Sequence, residues 1–503
     1  MESQVQTTSG STPGNSLYHR PRRQIRAPGS AKRAPHLFRP AGVVIVGFGL
    51  GILGLGLNEQ NTSAMVAGQT TIIVGLLVTG AARRFDPLAP RIIFAATFLM
   101  SYSWQALLVE SSTDRFLKPF GLEGMVGDEL SAAIMLSTAG ALAFFVGQYA
   151  ADRVRLRHSQ EYSVGLQSAV KPQAEYIAYS VFWIGVALTL ALVHLSGGLS
   201  AHLDILYDRL RRSEGRGYLF LGPSLMIFAT SALVASRRGS MTSAGVRVMI
   251  GACFLASLLT GSKTTIGILA VTLVLIRHWA WRSFSLARVA IFVVVAVLGL
   301  SMYNVIFRDA IPRSVPISKS LADRGGLVGL VSDGFVGNTF FGLQALMIAH
   351  SKFPEENEFL GTYSFRATLL APVPRVLYPD KPDSIAAPFT RSFLPGLYES
   401  GTSIPPTLMG EGFISFGPIG VAAYSSALGI FYSLAYRSRY RSAFSLYRAS
   451  VLTGALLFVL RGELLATTVL LVSGTLVGFL VLGNARSQRS RHVPATHEVK
   501  LKP

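Results

Sequence analysis

An acidic residue at the edge of an apolar segment is the first feature that could carry out chemistry. Glu411 stands between two glycines in the stretch Gly410–Gly420, which reads GEGFISFGPIG. A carboxylate at the start of an apolar segment is costly unless it pairs with a cation or takes part in a reaction. We predict that Glu411 is a general base, with Arg375 or Lys263 as its ionic partner. A purely structural ion pair is the alternative.

A basic, proline-rich stretch lies upstream of Glu411, between Phe365 and Asp383. Prolines restrict the backbone, so we expect the part from Pro372 to Pro382 to follow a stiff, extended path. A stiff path would hold three cations against a groove: Arg366, Arg375 and Lys381. The alternative is a surface loop whose charges are simply solvated.

A third feature is a cluster of arginines within the segment His202–Arg216. Leu203, Leu206 and Leu210 recur at helical spacing, which predicts an amphipathic helix lying at a membrane surface. The cluster consists of Arg209, Arg211, Arg212 and Arg216. Guanidinium groups donate paired hydrogen bonds to phosphate oxygens, so the cluster suits a diphosphate. The alternative is a basic helix attracted to anionic lipid.

Two short turns add one cation each. Lys263 follows Gly261 and Ser262 between two apolar segments, where a charge is either functional or snorkels to the membrane surface. The sequence GSKTT lacks the spacing of a nucleotide-binding loop, so we exclude nucleotide binding. Arg461 opens an Arg-Gly-Glu interruption, which we interpret as a tight turn at the outer surface. We include Lys263 and Arg461 among the residues that could bind diphosphate or glycan.

Signatures of several other chemistries are absent from the sequence. It contains no HExxH motif, no cysteine–histidine metal set, no GxSxG elbow and no DxD motif of the kind that holds a metal and a nucleotide sugar. His194, His202 and His350 are scattered, and we interpret each of them as incidental. We therefore predict metal-independent chemistry without a cofactor, or no chemistry.

Composition places these residues in a membrane protein. Half of the 503 residues are hydrophobic and only 14% are charged, against about a quarter in ordinary soluble domains. The net charge of +20 does not indicate nucleic acid binding, because the basic residues lie between the apolar blocks. Cys253 is the single cysteine, which excludes an intramolecular disulfide. We predict an all-α polytopic integral membrane protein whose solvent is the lipid bilayer.

Hydropathy predicts about twelve transmembrane helices. They cover residues 41–57, 64–81, 92–109, 129–150, 175–195, 218–236, 246–261, 264–280, 288–306, 412–436, 446–460 and 464–483. Most Lys and Arg residues lie on the side of the two termini, which places both termini in the cytoplasm. Residues 335–351 are apolar but short, so we expect a re-entrant or interfacial helix there and not a further span.

This topology divides the chain into five parts. Residues 1–40 form a disordered basic cytoplasmic tail, and residues 484–503 form a second basic cytoplasmic tail. Residues 41–306 contain nine transmembrane helices, and residues 406–483 contain three more. Residues 307–405 form one large loop on the non-cytoplasmic side, with the interfacial or re-entrant helix inside it. The candidate residues described above all lie on the side of this loop.

The layout resembles one family of membrane enzymes. The chain combines many spans, an Arg-bearing outer loop after Gly197–Gly198, a GS[KR] turn and a large late outer loop. Pro374-Arg375, Lys381-Pro382 and the stretch Gly410–Gly420 are similar to the pattern "P-R, then K-P, then G-E-x-x-x-x-F-G-x-x-G". That pattern belongs to the O-antigen polymerases of Wzy type, also called oligosaccharide repeat-unit polymerases.

The resemblance implies a GT-C-like helical architecture and a multi-pass enzyme of the bacterial inner membrane that works on its outer face. Such an enzyme transfers a growing glycan from its polyprenyl-diphosphate carrier to another lipid-linked repeat unit, building O-antigen, capsule or exopolysaccharide. Arginines and lysines would stabilise the diphosphate leaving group, and Glu411 would activate the acceptor hydroxyl. A chain-length regulator and a flippase are the implied protein partners.

Two other functions are compatible with this layout. An O-antigen ligase shares it, but that family relies on a histidine and arginines in the large outer loop. In this sequence, His350 is the only histidine within residues 307–405, and it lies at the end of an apolar segment, which disfavours a ligase. A non-enzymatic polysaccharide transporter or flippase would line a central cavity with charges within several spans. The predicted spans are almost free of charge. We therefore favour the polymerase and keep the ligase and the transporter as alternatives.

Overall fold

A computed structural model describes most of the chain. The described residues are 38–81, 86–112, 117, 123–153, 172–205, 217–236, 240–281, 283–306, 315–323, 326, 341–373, 377–399 and 403–483. Within these ranges the protein is helical and contains no β-strand. The predicted tail at 484–503 and nearly all of the tail at 1–40 lie outside the described residues.

Long apolar helices alternate with short helices and turns. The first are α1 (Phe38–Asn58), α2 (Thr62–Ala81), α3 (Pro90–Phe98) continued by a π-helical turn (Leu99–Ser103) into α4 (Trp104–Ser111), α5 (Asp128–Arg153), α6 (Pro172–Leu195), α7 (Leu199–Ile205), α8 (Leu221–Ser236), α9 (Ala244–Leu259) and α10 (Lys263–Ala280). The others are α11 (Leu286–Asn304), α12 (Ile317–Asp323), α13 (Gly342–Lys352), α14 (Tyr363–Leu369), α15 (Ala386–Phe393), α16 (Pro395–Glu399), α17 (Thr407–Ser438), α18 (Ala443–Val459) and α19 (Leu464–Leu482).

Every predicted transmembrane segment coincides with a helical segment of the structure. Ten segments among the described residues are long and apolar enough to cross a membrane. The two shorter ones, α9 and α18, have 16 and 17 residues. The chain is therefore a polytopic membrane protein, as composition predicted.

Contacts between helix termini define two ends of the bundle. Near the starts of α17 and α19, Glu411 contacts Leu464, and near the start of α5, Glu129 contacts His350 of α13. We call this the loop end, because the large loop belongs to it. At the opposite end, Arg437 near the end of α17 donates a hydrogen bond to a carbonyl near the end of α5. We call this the basic end.

The large loop is in part buried within the bundle. α13 contacts α5 and α17, and it is buried from Gly342 to Ala349. Gly342 abuts Tyr102 near the middle of the third predicted span, whereas His350 reaches Glu129 at the loop end. An α-helix of eleven residues is about 16 Å long, roughly half the thickness of the hydrocarbon layer. This part of the predicted 335–351 helix is thus enclosed by protein and does not lie on the surface of the bundle.

Helix α17 is broken within its first third. Phe416 and Gly417 leave the helical conformation, with φ 63° and ψ −150° at Gly417, and Pro418 follows. This backbone conformation is open essentially only to glycine. The predicted tenth span, 412–436, therefore consists of two half-helices that meet at Gly417. The first half is Thr407–Ser415, and it carries Glu411.

Backbone groups of the large loop bridge the break. A helix end leaves carbonyl groups without partners, and an apolar environment offers no water to bind them. The N–H groups of Leu360 and Gly361 donate to the carbonyl oxygens of Ile414 (2.9 Å) and Ser415 (3.0 Å). The loop is therefore hydrogen-bonded directly into the broken helix.

The longer half of α17 packs closely along α5. A Cβ atom added at Gly429 would collide with the carbonyl oxygen of Phe144, and one at Gly147 would collide with that of Ser426. Small residues allow two helix backbones to approach each other in this way. The contact fixes the orientation of α17 in the bundle, and with it the direction in which the first half-helix points.

At the basic end, Asp86 connects the segment before α3 with the ends of α10 and α17. Its Oδ1 accepts hydrogen bonds from the Leu88 amide and from His278 Nε2, both at 3.0 Å, and its Oδ2 accepts them from Trp279 Nε1 (3.0 Å) and the Tyr436 hydroxyl (2.6 Å). Burial by itself raises the pKa of Asp86, but these hydrogen bonds and the nearby imidazole outweigh it and lower the pKa to about 2.

Replacing Gly417 should destabilise the protein. Gly417→Ala adds a side chain in a conformation that disfavours it, next to the Phe359 ring, and we expect a loss of about 1–3 kcal/mol. The measurement is the midpoint of thermal unfolding of the purified protein in detergent. Gly251→Ala in α9 is the matched control, since a Cβ there meets open space. Equal midpoints for the two variants would contradict this account of the break.

Replacing Asp86 should also destabilise the protein. Asp86→Asn puts an amide where four donors converge, and we expect a loss of about 1–3 kcal/mol. A carboxyl whose pKa is lowered from 3.8 to about 2 stabilises the fold above pH 4 and loses that effect as pH falls towards 2. Thermal midpoints of wild type and variant should therefore differ at pH 5–8 and converge only below pH 4. The exposed Asp323→Asn variant should match wild type throughout.

Candidate functional site

The first half of α17 carries Glu411 into the interior of the protein, where 1% of the residue remains exposed. Its Oε2 accepts a hydrogen bond of 2.6 Å from the backbone N–H of Leu464, the first residue of α19. The Ser364 hydroxyl on α14 faces the same carboxylate without closing a regular hydrogen bond. A helix N-terminus presents N–H groups that suit an anion. In the described residues, Glu411 therefore accepts its hydrogen bond from a backbone amide, whereas the sequence had suggested Arg375 or Lys263 as its partner.

A second carboxylate, which the sequence analysis missed, stands beside Glu411. Glu463 precedes α19 and is 6% exposed. Its Oε2 accepts hydrogen bonds from the Ser384 hydroxyl (2.8 Å) and the Ala386 amide (3.0 Å). Burial raises the pKa of Glu463, and these two hydrogen bonds offset only part of the rise. The predicted turn at Arg461 is present, but its acid points inward and not to the outer surface.

The two carboxylates act on each other. They are close enough for Glu463 to repel the charge of Glu411, and Glu411 bonds the residue that follows Glu463. In a pair of adjacent carboxyl groups, one tends to keep its proton while the other is ionised. Such a pair offers a proton acceptor and a proton donor at one place, which is the requirement of general acid–base catalysis.

Part of the large loop covers this acid pair. Ser384 and Ala386 bond Glu463, and on α14 the ring of Phe365 packs edge-on against Tyr424 of α17 with centroids 5.4 Å apart. The hydroxyl of Tyr424 in turn reaches Ser415 Oγ at 3.5 Å. We call the described residues 363–373 and 377–386 the roof segment. Through these contacts, the roof segment joins α17 to the turn between α18 and α19.

The basic residues of the roof segment differ in their surroundings. Lys381 Nζ donates hydrogen bonds to the carbonyl oxygens of Ala371 (2.6 Å) and Val373 (3.1 Å). Lys381 therefore closes a loop, and the described residues turn back where an extended path was predicted. Arg366 lies exposed on α14. Arg375 lies outside the described residues.

Lys263 and Arg461 lie at the same end of the bundle as the acid pair. Lys263 is the first residue of α10, and its Nζ is 5.9 Å from the centre of the Tyr303 ring. One turn further along α10, Gly267 packs against Phe458 of α18. Arg461 follows Phe458 by three residues and donates its amide to the Phe458 carbonyl. The structure thus brings the two predicted turn cations to neighbouring helix ends.

The predicted arginine cluster lies outside the described residues, but the structure describes the helix that precedes it. Arg209, Arg211, Arg212 and Arg216 are all in the range 206–216 that the structure does not describe. The preceding helix, α7, is anchored by His202, which is 3% exposed. His202 Nε2 lies 2.6 Å from the Leu259 carbonyl oxygen and Nδ1 lies 3.0 Å from Ser196 Oγ. The helix that precedes the arginine cluster is thus bound to Leu259, four residues before Lys263 in the sequence.

The other titratable candidates have defined partners. His350, at the end of α13, contacts Glu129 through Nδ1 and Oε2 at 2.6 Å. Cys253 is buried in α9, with its sulfur 3.3 Å from the Thr230 hydroxyl. In the part of the chain that the structure describes, no group of three or more His, Cys, Asp or Glu side chains is placed to hold a metal ion.

The site that emerges is a buried acid pair at the loop end, covered by the roof segment and bordered by cationic turns. Among the described cations, Lys263 and Arg461 lie at those turns, and Arg366 and Lys381 lie in the roof segment. Comparison with protein families, curated proteins and solved structures gives no match for this chain.

Proposed function

We propose that the protein is a membrane glycosyltransferase that polymerises polyprenyl-diphosphate-linked oligosaccharide repeat units into a surface polysaccharide. The observation that supports this most is the buried pair Glu411–Glu463, held at the loop end by backbone amides and covered by the roof segment. An acid pair next to cations matches the needs of glycosyl transfer from a diphosphate, which requires both a proton acceptor and stabilisation of a leaving anion.

In the proposed reaction, the acceptor hydroxyl of one lipid-linked repeat unit attacks the anomeric carbon of the other glycan chain. A new glycosidic C–O bond forms while the bond between that carbon and the diphosphate breaks. The hydroxyl proton passes to the ionised member of the acid pair, with Glu411 as the acceptor. Polyprenyl diphosphate leaves with the bonding electrons, and cations around the site stabilise its charge: Arg375, Arg366, Lys263, Arg461, Lys381 and the cluster Arg209, Arg211, Arg212 and Arg216.

The proposal includes an orientation in the membrane. All twelve predicted helices span, both termini are cytoplasmic, and the loop end faces the outer side of a bacterial inner membrane. Under this proposal, the half-length helix α13 is a re-entrant element and the architecture is GT-C-like. A chain-length regulator and a flippase would work beside the enzyme, because the substrate has to arrive on the outer face and the product is a long chain.

A non-enzymatic transporter of lipid-linked glycan is the second candidate. The break in α17 at Gly417 favours it, since many transporters form their substrate sites from discontinuous helices near the middle of the membrane. Under this function, the acid pair would bind a proton or a substrate hydroxyl group without any bond being made. The ligase alternative has no comparable support, because its histidine would be His350, which contacts Glu129.

Removal of the Glu411 charge should abolish polymerisation. We expect Glu411→Gln to lower the rate at least about 100-fold when the full chain is reconstituted in vesicles with a synthetic polyprenyl-diphosphate repeat unit. Glu463→Gln should also slow the reaction, and the double variant should be no slower than Glu411→Gln alone, because members of one catalytic unit are not additive. Glu59→Gln, an exposed acid at the loop end, is the control.

The same assay separates the alternatives. Products that grow by whole repeat units support the polymerase, and transfer only to added lipid A core identifies a ligase. Movement of intact substrate across the vesicle without new glycosidic bonds identifies a transporter. Full polymerase activity of Glu411→Gln would demote Glu411 to a structural residue.

Arginines of the outer loops should be needed for the diphosphate. Arg375→Ala and Arg211→Ala are expected to leave the protein inserted in the membrane but to remove long glycan chains, because the leaving group loses charge stabilisation. Chain-length ladders on a gel, from cells that express each variant, provide the measurement. Lys319→Ala on α12 is the control for loss of a surface cation. Normal ladders for both arginine variants would refute their assigned role.

A further inference from the structure

A cleft of about 480 Å³ opens at the loop end, apart from the acid pair. Its walls come from the residues before α5, from α13 with the turn that follows it, and from α15. Small-molecule sites generally occupy about 300–1,000 Å³, so the cleft is large enough for a short oligosaccharide.

The polar lining of the cleft offers donors and acceptors without a net charge. Lys352 and Glu356 form an ion pair with each other, and Asn357 Nδ2 donates to the Lys352 carbonyl oxygen at 3.1 Å. The lining also includes Ser392, an exposed residue of α15. Because the charged groups neutralise each other, these polar groups suit a polyol better than a phosphate or an ion.

The apolar part of the lining is held in place by other rings. Phe393 contacts Phe389 (5.3 Å between centroids) and Phe353 (5.9 Å), and Ile348 and Met125 are the other apolar lining residues. A sugar ring has apolar C–H faces and a rim of hydroxyl groups. A lining that combines an aromatic ring with neutral polar groups therefore suits a neutral sugar.

The cleft and the acid pair lie at the two ends of α15. Ala386, the first residue of α15, donates its amide to Glu463 at 3.0 Å. Ser392 and Phe393, at the end of the same helix, line the cleft. At 1.5 Å per residue, the length of α15 between these points is roughly 9–11 Å. A glycan of a few sugars can reach from one place to the other.

We propose that this cleft is a glycan subsite, which binds a neutral segment of the oligosaccharide a few sugars away from the bond that forms at the acid pair. The inference rests on the proposed function, since that function supplies a glycan at the loop end. The subsite would hold the chain between successive transfers, so it would govern how many repeat units are added before release.

Binding can be measured without catalysis. The full chain in lipid nanodiscs is mixed with neutral oligosaccharides released by mild acid from the surface polysaccharide of the source cells, and saturation-transfer NMR gives the dissociation constant. We expect Asn357→Leu and Ser392→Leu each to weaken binding about tenfold, the effect of losing one or two hydrogen bonds. Glu355→Gln, an exposed neighbour outside the cleft, should bind as wild type does. Equal affinity of all four proteins, or no binding to wild type, would overturn the subsite.

A second readout separates this inference from the proposed function. In the vesicle assay, Ser392→Leu should still make the first glycosidic bond but release shorter chains, whereas Glu411→Gln should bind the oligosaccharide normally and make no bond. Wild-type chain lengths from both cleft variants would overturn the subsite and leave the polymerase intact. Cleft binding by a wild-type protein that forms no glycosidic bond would overturn the polymerase and leave the subsite intact.

Discussion

The constraint on which the rest of the structure depends is the need to satisfy backbone carbonyl groups where α17 breaks. An apolar environment provides no water for such groups, so a broken helix must find partners in the protein. The amides of Leu360 and Gly361 supply them at Ile414 and Ser415. Because of these two bonds, the segment that connects α13 with the roof segment is part of the bundle. The positions of the acid pair and of the cleft both follow from this anchoring.

Helix termini explain why two carboxylates can be buried at the loop end. The start of α19 offers its first amide to Glu411, and the start of α15 offers one to Glu463. Each of these N–H groups would otherwise lack a partner, because the first turn of a helix has no acceptor within the helix. The acids therefore satisfy two helix ends while remaining close to each other.

A comparison of the two ends of the bundle shows why two buried acids differ in pKa. Asp86 accepts four hydrogen bonds, and its pKa falls to about 2, so it stays ionised and ties helices together. Glu463 accepts two in the part of the chain that the structure describes, and its pKa rises. Burial raises the pKa of both acids, and at Asp86 the additional donors and the nearby imidazole reverse that effect. A carboxyl with few donors is better suited to exchange a proton.

The sequence by itself determined that the chain is a polytopic membrane protein and which apolar segments are helical among the described residues, because apolar segments of about 20 residues have few other structures open to them. It also singled out Glu411, since an acid at the edge of such a segment is conspicuous. The sequence did not indicate Glu463, because acids are common in turns and only tertiary packing buries this one. The contacts of Glu411 with Leu464, of Glu463 with Ser384, and of Lys381 with Ala371 join residues whose proximity no local pattern encodes. Only the tertiary structure decided them, because a helical period specifies which face of a helix is apolar but not which neighbour covers that face.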